Sequence, residues 1–350
     1  MKENRIKSFA VKIFKAPLKR PFITSLGSKT VSINVGITLR LAGGAEGYGE
    51  ASSSLALAHL SPRRLSGALR ALGAGASGQD SARAASLIAH AWKTHGRISP
   101  AAAAFECALL EALMKSLGLS LAEWFGGRLK QVESDMTLSA APPDFAAQAA
   151  ACAAKEGFRI FKIKVRGDFS ENMARVRAVH KITPQARLIL DGNQGMSPAG
   201  ALRLVEACLK EKMKIILLEQ PLPQSEHVKM RRLSRLCPVP LAADEAVSTP
   251  QEALRVALEG SAQVINIKIA KSGLLRSLEI AAVARGAGLD LMIGCMAETA
   301  RGLSPSVHLA LGTGFFRHVD LDSDMLLQEG DWAKAGPPGW TRRGPFLSLN

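Results

Sequence analysis

Three apolar runs in this chain end in a carboxylate: LILD at Asp191, LLEQP at Glu219 and LAADE at Asp244. Two others carry lysines, FKIKV at Lys162 and Lys164 and VINIKI at Lys268, and HVDLD carries Asp320 and Asp322. A single carboxylate after an apolar run reads as a strand end capping its loop. Three on consecutive runs, with no His or Cys beside them, read as oxygen ligands for a hard divalent cation, Mg²⁺ being the usual choice. Lys164 precedes the trio and Lys268 follows it, which sets the two lysines on opposite sides of whatever the metal holds. A carboxylate substrate on Mg²⁺ has an acidified α-hydrogen, because the metal stabilises the enediolate left by deprotonation. Two lysines on opposite faces can then take the proton from one side and return it on the other, a racemisation or epimerisation. A free lysine titrates at about 10.4, so the base has to be brought down; Lys162, two residues from Lys164 on the same strand face, and the metal both act in that direction.

These residues need a scaffold that aims strand ends at one point. From about Met136 the β-type runs MTLS, IFKIKV, RLILD, IILLE, PLAAD, VINIKI, LMIGC and HVDLD recur, with their last polar residues 24 to 28 positions apart and amphipathic segments between most of them. Continuous apolar strands alternating with helices specify a parallel sheet covered by helices, and eight units at this period specify a closed barrel. Functional side chains of such barrels gather at the C-terminal strand ends. Alternation turns Lys162 and Lys164 inward, opposite Phe161, Ile163 and Val165. Before about residue 125 the chain reads as an α+β unit: strands over 5–15 and 30–40, a loop at APLKRPFITSLGSK by its Pro and Gly content, a turn and short strand at GGAEGYGEAS, then helices from Ser61 to about Gly118, with Pro100 in the first turn of the last. The alanines at 101–104 suit a helix packed closely on a neighbour.

The composition is that of a folded globular chain, 47% apolar. No apolar run reaches the roughly 18 to 20 residues that span a bilayer, and the first residues lack a secretory h-region. Five scattered cysteines without a CxxC pair read as reduced usage, so a cytoplasmic protein without membrane partners is expected. The net charge of +15 is dispersed, densest at 229–235 and Arg342-Arg343, which reads as a solvated basic surface and not a nucleic-acid footprint. GGAEGYGEA lacks the Lys-Ser/Thr of a phosphate loop. The seven histidines form no His/Asp catalytic pattern, and His318 reads as packed.

FKIKV, LILDGNQG, LLEQP, AADE and NIKIAKSG together resemble the muconate-lactonizing-enzyme subgroup of the enolase superfamily, in order and spacing, over essentially the whole chain. The resemblance implies an α/β fold: a modified TIM barrel, (β/α)7β, over 127–325, with an N-terminal α+β capping domain over 1–126 completed by 326–350. It implies Asp191, Glu219 and Asp244 as Mg²⁺ ligands, Lys164 and Lys268 as acid/base catalysts and Lys162 as the residue that tunes the base. GCMAET at 294–299 and the Asp320/Asp322 pair resemble the dipeptide epimerases, which puts Cys295, Met296, Glu298 and Thr137 among the substrate contacts and the aspartates on the substrate's α-ammonium, a pairing their charge suits. The partner implied is a small molecule, a dipeptide or related carboxylate, and self-association stays open. The arginine that grips glutamate in Ala-Glu epimerases is matched by Gly27, with Lys19, Arg20 and Lys29 as nearby cations, so other dipeptides are open. Asp324 faces the site or belongs to a loop. Loops near 16–30 and 50–60 should close over the substrate. Related chemistries with the same metal and lysines are o-succinylbenzoate synthase, N-acylamino-acid racemase and muconate cycloisomerase; a barrel retired to binding is the non-enzyme alternative.

Overall fold

A computed structural model describes residues 3–328, 330 and 336–350. The N-terminal unit is an antiparallel sheet, β1 (Ile6–Thr24), β2 (Gly27–Leu41) and β3 (Glu46–Ala51), packed on α1 (Pro62–Ala76), α2 (Ala84–His95) and α3 (Ser99–Ser116), with a short α4 (Leu121–Trp124) after them. The stretch 16–29, expected as a loop, is instead the far end of a long hairpin: Thr24 pairs with Gly27 around a two-residue turn. Prolines misled the reading because they donate no ladder bond, and here they fall where that is tolerated. The register shifts between Pro17 and Phe22, so the segment holding Pro21 bulges off β2.

The alanine helix and the GYG of β3 explain each other. A Cβ on Gly47 would lie 1.9 Å from the Ala108 carbonyl oxygen, and one on Gly49 1.8 Å from that of Ala104. Only glycine on the strand and small residues on the helix permit that approach. Gly49→Ala should therefore lower stability by about 1–3 kcal/mol or prevent folding, as overpacking of a core does. Gly67→Ala, on an exposed face of α1 with open space around it, should leave stability unchanged or raise it by about 0.5–1 kcal/mol. Urea unfolding of the two variants checks the contrast.

The second unit opens with β4 (Gln131–Glu133) and then repeats strand and helix: β5 (Met136–Leu138), α5 (Pro143–Lys155), β6 (Ile160–Lys164), α6 (Phe169–Ile182), β7 (Arg187–Asp191), α7 (Pro198–Lys210), β8 (Lys214–Glu219), α8 (His227–Leu236), β9 (Leu241–Ala243), α9 (Pro250–Glu259), β10 (Val264–Ile267), α10 (Ile269–Gly286), β11 (Asp290–Gly294), α11 (Ala300–Thr313) and β12 (His318–Asp320). The eight strands β5 to β12 form one parallel sheet in sequence order, (β/α)7β. Across the seam between first and last strands, the Asp135 amide donates to the Val319 carbonyl at 2.8 Å and the Thr137 amide to Asp322 Oδ2 at 2.5 Å.

Period-two alternation sorts the side chains into two cores. Leu188, Leu190, Leu218, Leu241, Ile265 and Leu291 face the helices. Ile189, Leu217, Ala242, Val264 and Met292 fill the barrel interior as a small separate cluster. Two residues beyond each of these inward plugs stand Asp191, Glu219, Asp244, Asn266 and Gly294, one layer nearer the mouth.

After β12 come α12 (Ser323–Leu326), β13 (Trp340–Arg343) and β14 (Phe346–Leu349). Leu327 bridges Leu18 of β1, and the Gln328 amide donates to the Pro17 carbonyl, so this part of the tail joins the N-terminal sheet. β14 pairs with β4 instead, with β13 on its other edge, although Trp340 and Leu347 share the core of the N-terminal unit. Residues 329 and 331–335 of the expected completing segment lie outside the described residues. No described helix is long and apolar enough to cross a membrane, and all five cysteines are free thiols.

Candidate active site

Strand register places Lys164, Asp191 and Glu219 in one row across β6, β7 and β8, with Thr137 beside Lys162 one step lower. All are buried at the mouth of the barrel. Lys162 is the hub. Its Nζ lies 2.7 Å from Asp320 Oδ2, 2.8 Å from Glu219 Oε2 and 3.1 Å from Asp191 Oδ2. Burial works to lower its pKa, but Asp320, Glu219 and Asp191 outweigh that and hold it well above the ordinary lysine value. Lys162 is therefore a fixed cation two residues from Lys164.

Lys164 and Lys268 approach from the two flanks. Lys164 Nζ donates to Asp191 Oδ2 at 2.6 Å, and Lys268 Nζ to Asp244 Oδ2 at 2.7 Å. Gly294 leaves room for the second lysine: a Cβ there would stand 2.8 Å from Lys268 Cε. Two opposing effects act on Lys268. Burial favours the neutral form, but contact with the Asp244 carboxylate reverses the balance and raises its pKa. The carboxylates answer in kind. Burial opposes ionisation of Asp191, yet Lys164 and then Lys162 bring it to about 2; Lys268 and Lys271 carry Asp244 further down in the same way.

Glu219 has no lysine of its own and only shares Lys162 with Asp320 and Asp191. Burial, then the Asp191 charge, push it up to about 7, and Glu245 reaches about 7 through burial and Asp244. Glu219 Oε1 accepts from Asn266 Nδ2 at 2.8 Å, but Oε2 accepts no hydrogen bond of good geometry although Lys162 Nζ is close. Asn193 Oδ1 and Glu245 Oε2 are also buried without donors. Seven acids (Asp135, Asp191, Glu219, Asp244, Glu245, Asp320, Asp322) thus face four lysines (Lys162, Lys164, Lys268, Lys271). An all-oxygen donor set with excess negative charge and unfilled acceptors fits a hard divalent cation.

A second acidic group sits at the seam. Oxygens of Asp135, Asp320 and Asp322 lie within 4.8 Å of one another, a spacing that among the described residues only this group of three meets. Both Asp135 oxygens lack a donor, and burial followed by Asp320 and Asp322 holds its carboxyl well above the ordinary range. A proton on Asp135 shared with Asp320 satisfies both observations. Thr137 Oγ1 donates to Asp320 Oδ1 at 3.2 Å and its amide to Asp322, so the pair is fixed from β5. This group could hold a small cation, a metal ion or an organic ammonium.

The mouth is a cavity of about 230 Å³. Thr137, Lys162, Lys164, Asp244, Lys268, Cys295, Met296, Asp320 and Asp322 line it from below. Leu18, Phe22, Thr24, Leu26, Lys29, Ser54, Leu55 and Leu57 line it from above, as expected for the two covering segments. The cover is fastened by polar contacts. Ser25 Oγ, at the hairpin tip, donates to the carbonyls of Gly192 (3.0 Å) and Asn193 (2.6 Å). Asn34 Nδ2 and Ser52 Oγ both donate to the Ala297 carbonyl, at 2.8 and 2.9 Å.

The family model for proteins described as enolase C-terminal domain-like matches residues 144–338, and that for the mandelate racemase / muconate lactonizing enzyme N-terminal domain matches 8–126. The chain belongs to this family. An aromatic dipeptide epimerase of Herpetosiphon aurantiacus is 35% identical over 95% of this chain and 94% of its own length. An L-Ala-D/L-Glu epimerase of Thermotoga maritima is 31% identical over 95% of this chain and 98% of its own. A dipeptide epimerase of Enterococcus faecalis, solved with Mg and L-Leu-L-Tyr, superposes with TM-score 0.90 at 27% identity, covering 99% of this chain and 97% of its own.

In this member of the mandelate racemase / muconate lactonizing enzyme family, one expected contact is absent and two positions left open by the sequence are placed. Glu298 does not line the cavity; its Oε2 accepts the Met296 amide at 2.9 Å and so shapes the loop that carries Cys295 and Met296. Asp324 turns away from the site and pairs with Arg342, Oδ1 to Nη2 at 2.6 Å. Of the three cations near Gly27, only Lys29 lines the mouth, its Nζ donating to the Ser53 carbonyl at 2.9 Å. Asp135, Glu245, Asn266 and Lys271 escaped the sequence reading. Asn266 and Lys271 flank Lys268 at two residues before and three after, a spacing that could have found them; Lys271 Nζ donates to Asp244 Oδ1 at 2.7 Å.

Proposed function

We propose that this chain is an isomerase that epimerises dipeptides with Mg²⁺, its cap of residues 1–126 and part of the tail closing over a catalytic barrel of 127–325. The observation that carries the reading is the pair of buried lysines, Lys164 and Lys268, each on its own strand-end carboxylate at opposite flanks of one cavity. Asp191, Glu219 and Asp244 would hold the metal, which when bound would take the substrate carboxylate and absorb the charge that develops there on loss of the α-proton.

The chain's own groups do the rest. Lys164 removes the α-proton of the C-terminal residue from one face and Lys268 delivers one to the other, or the reverse for the opposite epimer. Lys162, held as a cation by Asp320, Glu219 and Asp191, adds positive charge beside the reacting carboxylate. Asp320 and Asp322, positioned by Thr137, take the α-ammonium of the N-terminal residue. The hairpin tip and the 50–60 segment keep water from the carbanion. The relatives support the substrate class, being named dipeptide epimerases.

The same lysines would serve an N-acylamino-acid racemase, whose substrates carry no ammonium, and the aspartate pair separates the two. Hydrogen bonds between charged groups contribute about 1.5–3 kcal/mol each. An accepted dipeptide should therefore lose roughly 10- to 100-fold in kcat/KM when its amino group is acetylated. Equal or faster turnover of the acetylated compound, read by chiral chromatography, would reassign the enzyme to N-acyl substrates.

A further inference from the structure

A second cavity, of about 190 Å³, adjoins the mouth on the side of β5 and α5. It shares Leu18, Phe22, Thr137 and Leu326 with the mouth, so those four residues form the common border. Beyond the border the walls are mainly apolar, formed by Met136 and Leu138 of β5, Ala149 and Ala153 of α5, and Met325, with Ser139 beside them. Lys19, Arg20 and Glu156, all exposed, stand at its rim. The cavity exists because the bulge in β1 lifts Leu18 to Pro21 off β2 and seats them against the tail, where the Gln328 side chain donates to the Leu18 carbonyl at 3.1 Å.

Thr137 ties this cavity to the chemistry, since the residue that fixes Asp320 and Asp322 also forms the border. This inference rests on the dipeptide reading. With the ammonium on the aspartate pair, which Thr137 holds, the N-terminal residue lies next to the border and its side chain has a way across it. We infer that the second cavity is the subsite for that side chain, and that the substrates are dipeptides with a large, chiefly apolar N-terminal residue. Alanine there would leave the cavity wall unmet, whereas leucine, methionine or phenylalanine reaches past Thr137 into it. The rim cations and Glu156 tolerate a polar tip on a long side chain.

The test compares L-Leu-L-X with L-Ala-L-X, where X is the C-terminal residue that exchanges fastest in a pooled library, using the Mg²⁺-supplied enzyme and α-deuterium incorporation as readout. The wild type should prefer the leucyl dipeptide. Ala149→Phe, which fills the cavity from the helix side, should lower the leucyl-to-alanyl ratio of kcat/KM at least tenfold. Cys152→Trp, at an exposed position of the same wall, should lower it in the same direction and decides the matter if the first variant does not fold. A ratio unmoved in folded variants, with both dipeptides still exchanging, overturns the subsite and leaves the epimerase reading standing. Absence of exchange in every library member overturns both.

Discussion

Lys164→Ala and Lys268→Ala are each expected to lose epimerisation by roughly 10²- to 10⁴-fold, the contribution of a positioned acid or base. The sharper expectation concerns exchange without inversion. Removal of one lysine leaves the other able to take and return the α-proton on its own face. Each variant should therefore still wash deuterium into one epimer of the substrate, and the two variants should act on opposite epimers. This follows from their places in the barrel, Lys164 on β6 and Lys268 just after β10, four strands apart in the eight-stranded sheet, each with its own anchor, Asp191 or Asp244. Exchange of the same epimer by both variants, followed by NMR in D₂O, would mean that one lysine serves both faces. Lys162→Met should behave differently, slowing both epimers alike, because it removes a cation shared by Asp191, Glu219 and Asp320 and touches neither face alone.

The second large effect concerns the metal, and it separates two acidic groups. Chelation should abolish activity and Mg²⁺ should restore it. Loss of an outer partner typically costs 10- to 100-fold in metal affinity, so loss of a direct carboxylate should cost at least about 100-fold. Glu219→Gln and Asp244→Asn are expected to weaken Mg²⁺ binding by at least that much in titration calorimetry. Asp135→Asn should leave Mg²⁺ affinity within a few-fold, since the seam group is assigned to an ammonium. The opposite pattern would move the metal to Asp135, Asp320 and Asp322, whose oxygens are the closer set.

The barrel was legible because two periods reinforce each other. The repeat of 24 to 28 residues specifies strand after strand, and alternation within each strand specifies which side chains turn inward. An inward plug such as Ile189 or Leu217 thus announces the functional residue two positions later. The parts of the site outside the strands lack either period. Asp135 precedes its strand, Lys271 lies in the first turn of α10, and Glu245 comes just after a strand-end residue already explained. Their roles depend on burial against residues distant in sequence. Asp324 is the clearest case, its partner Arg342 lying 18 residues on in a hairpin the local sequence does not announce. The 16–29 segment failed for another reason. Its composition favours a turn, but pairing with β2 and the tail supplies the hydrogen bonds that composition alone argues against.

Proton traffic at the α-carbon tests the central claim most directly. The enzyme, supplied with Mg²⁺ in D₂O, is given a pooled library of L,L-dipeptides and followed by mass spectrometry. One deuterium at the α-position of the C-terminal residue, with L,D product accumulating, and both signals lost in the Lys164→Ala/Lys268→Ala double variant, is the expected result. A library that emerges unlabelled, or one labelled equally by the double variant, would contradict dipeptide epimerisation by these two lysines.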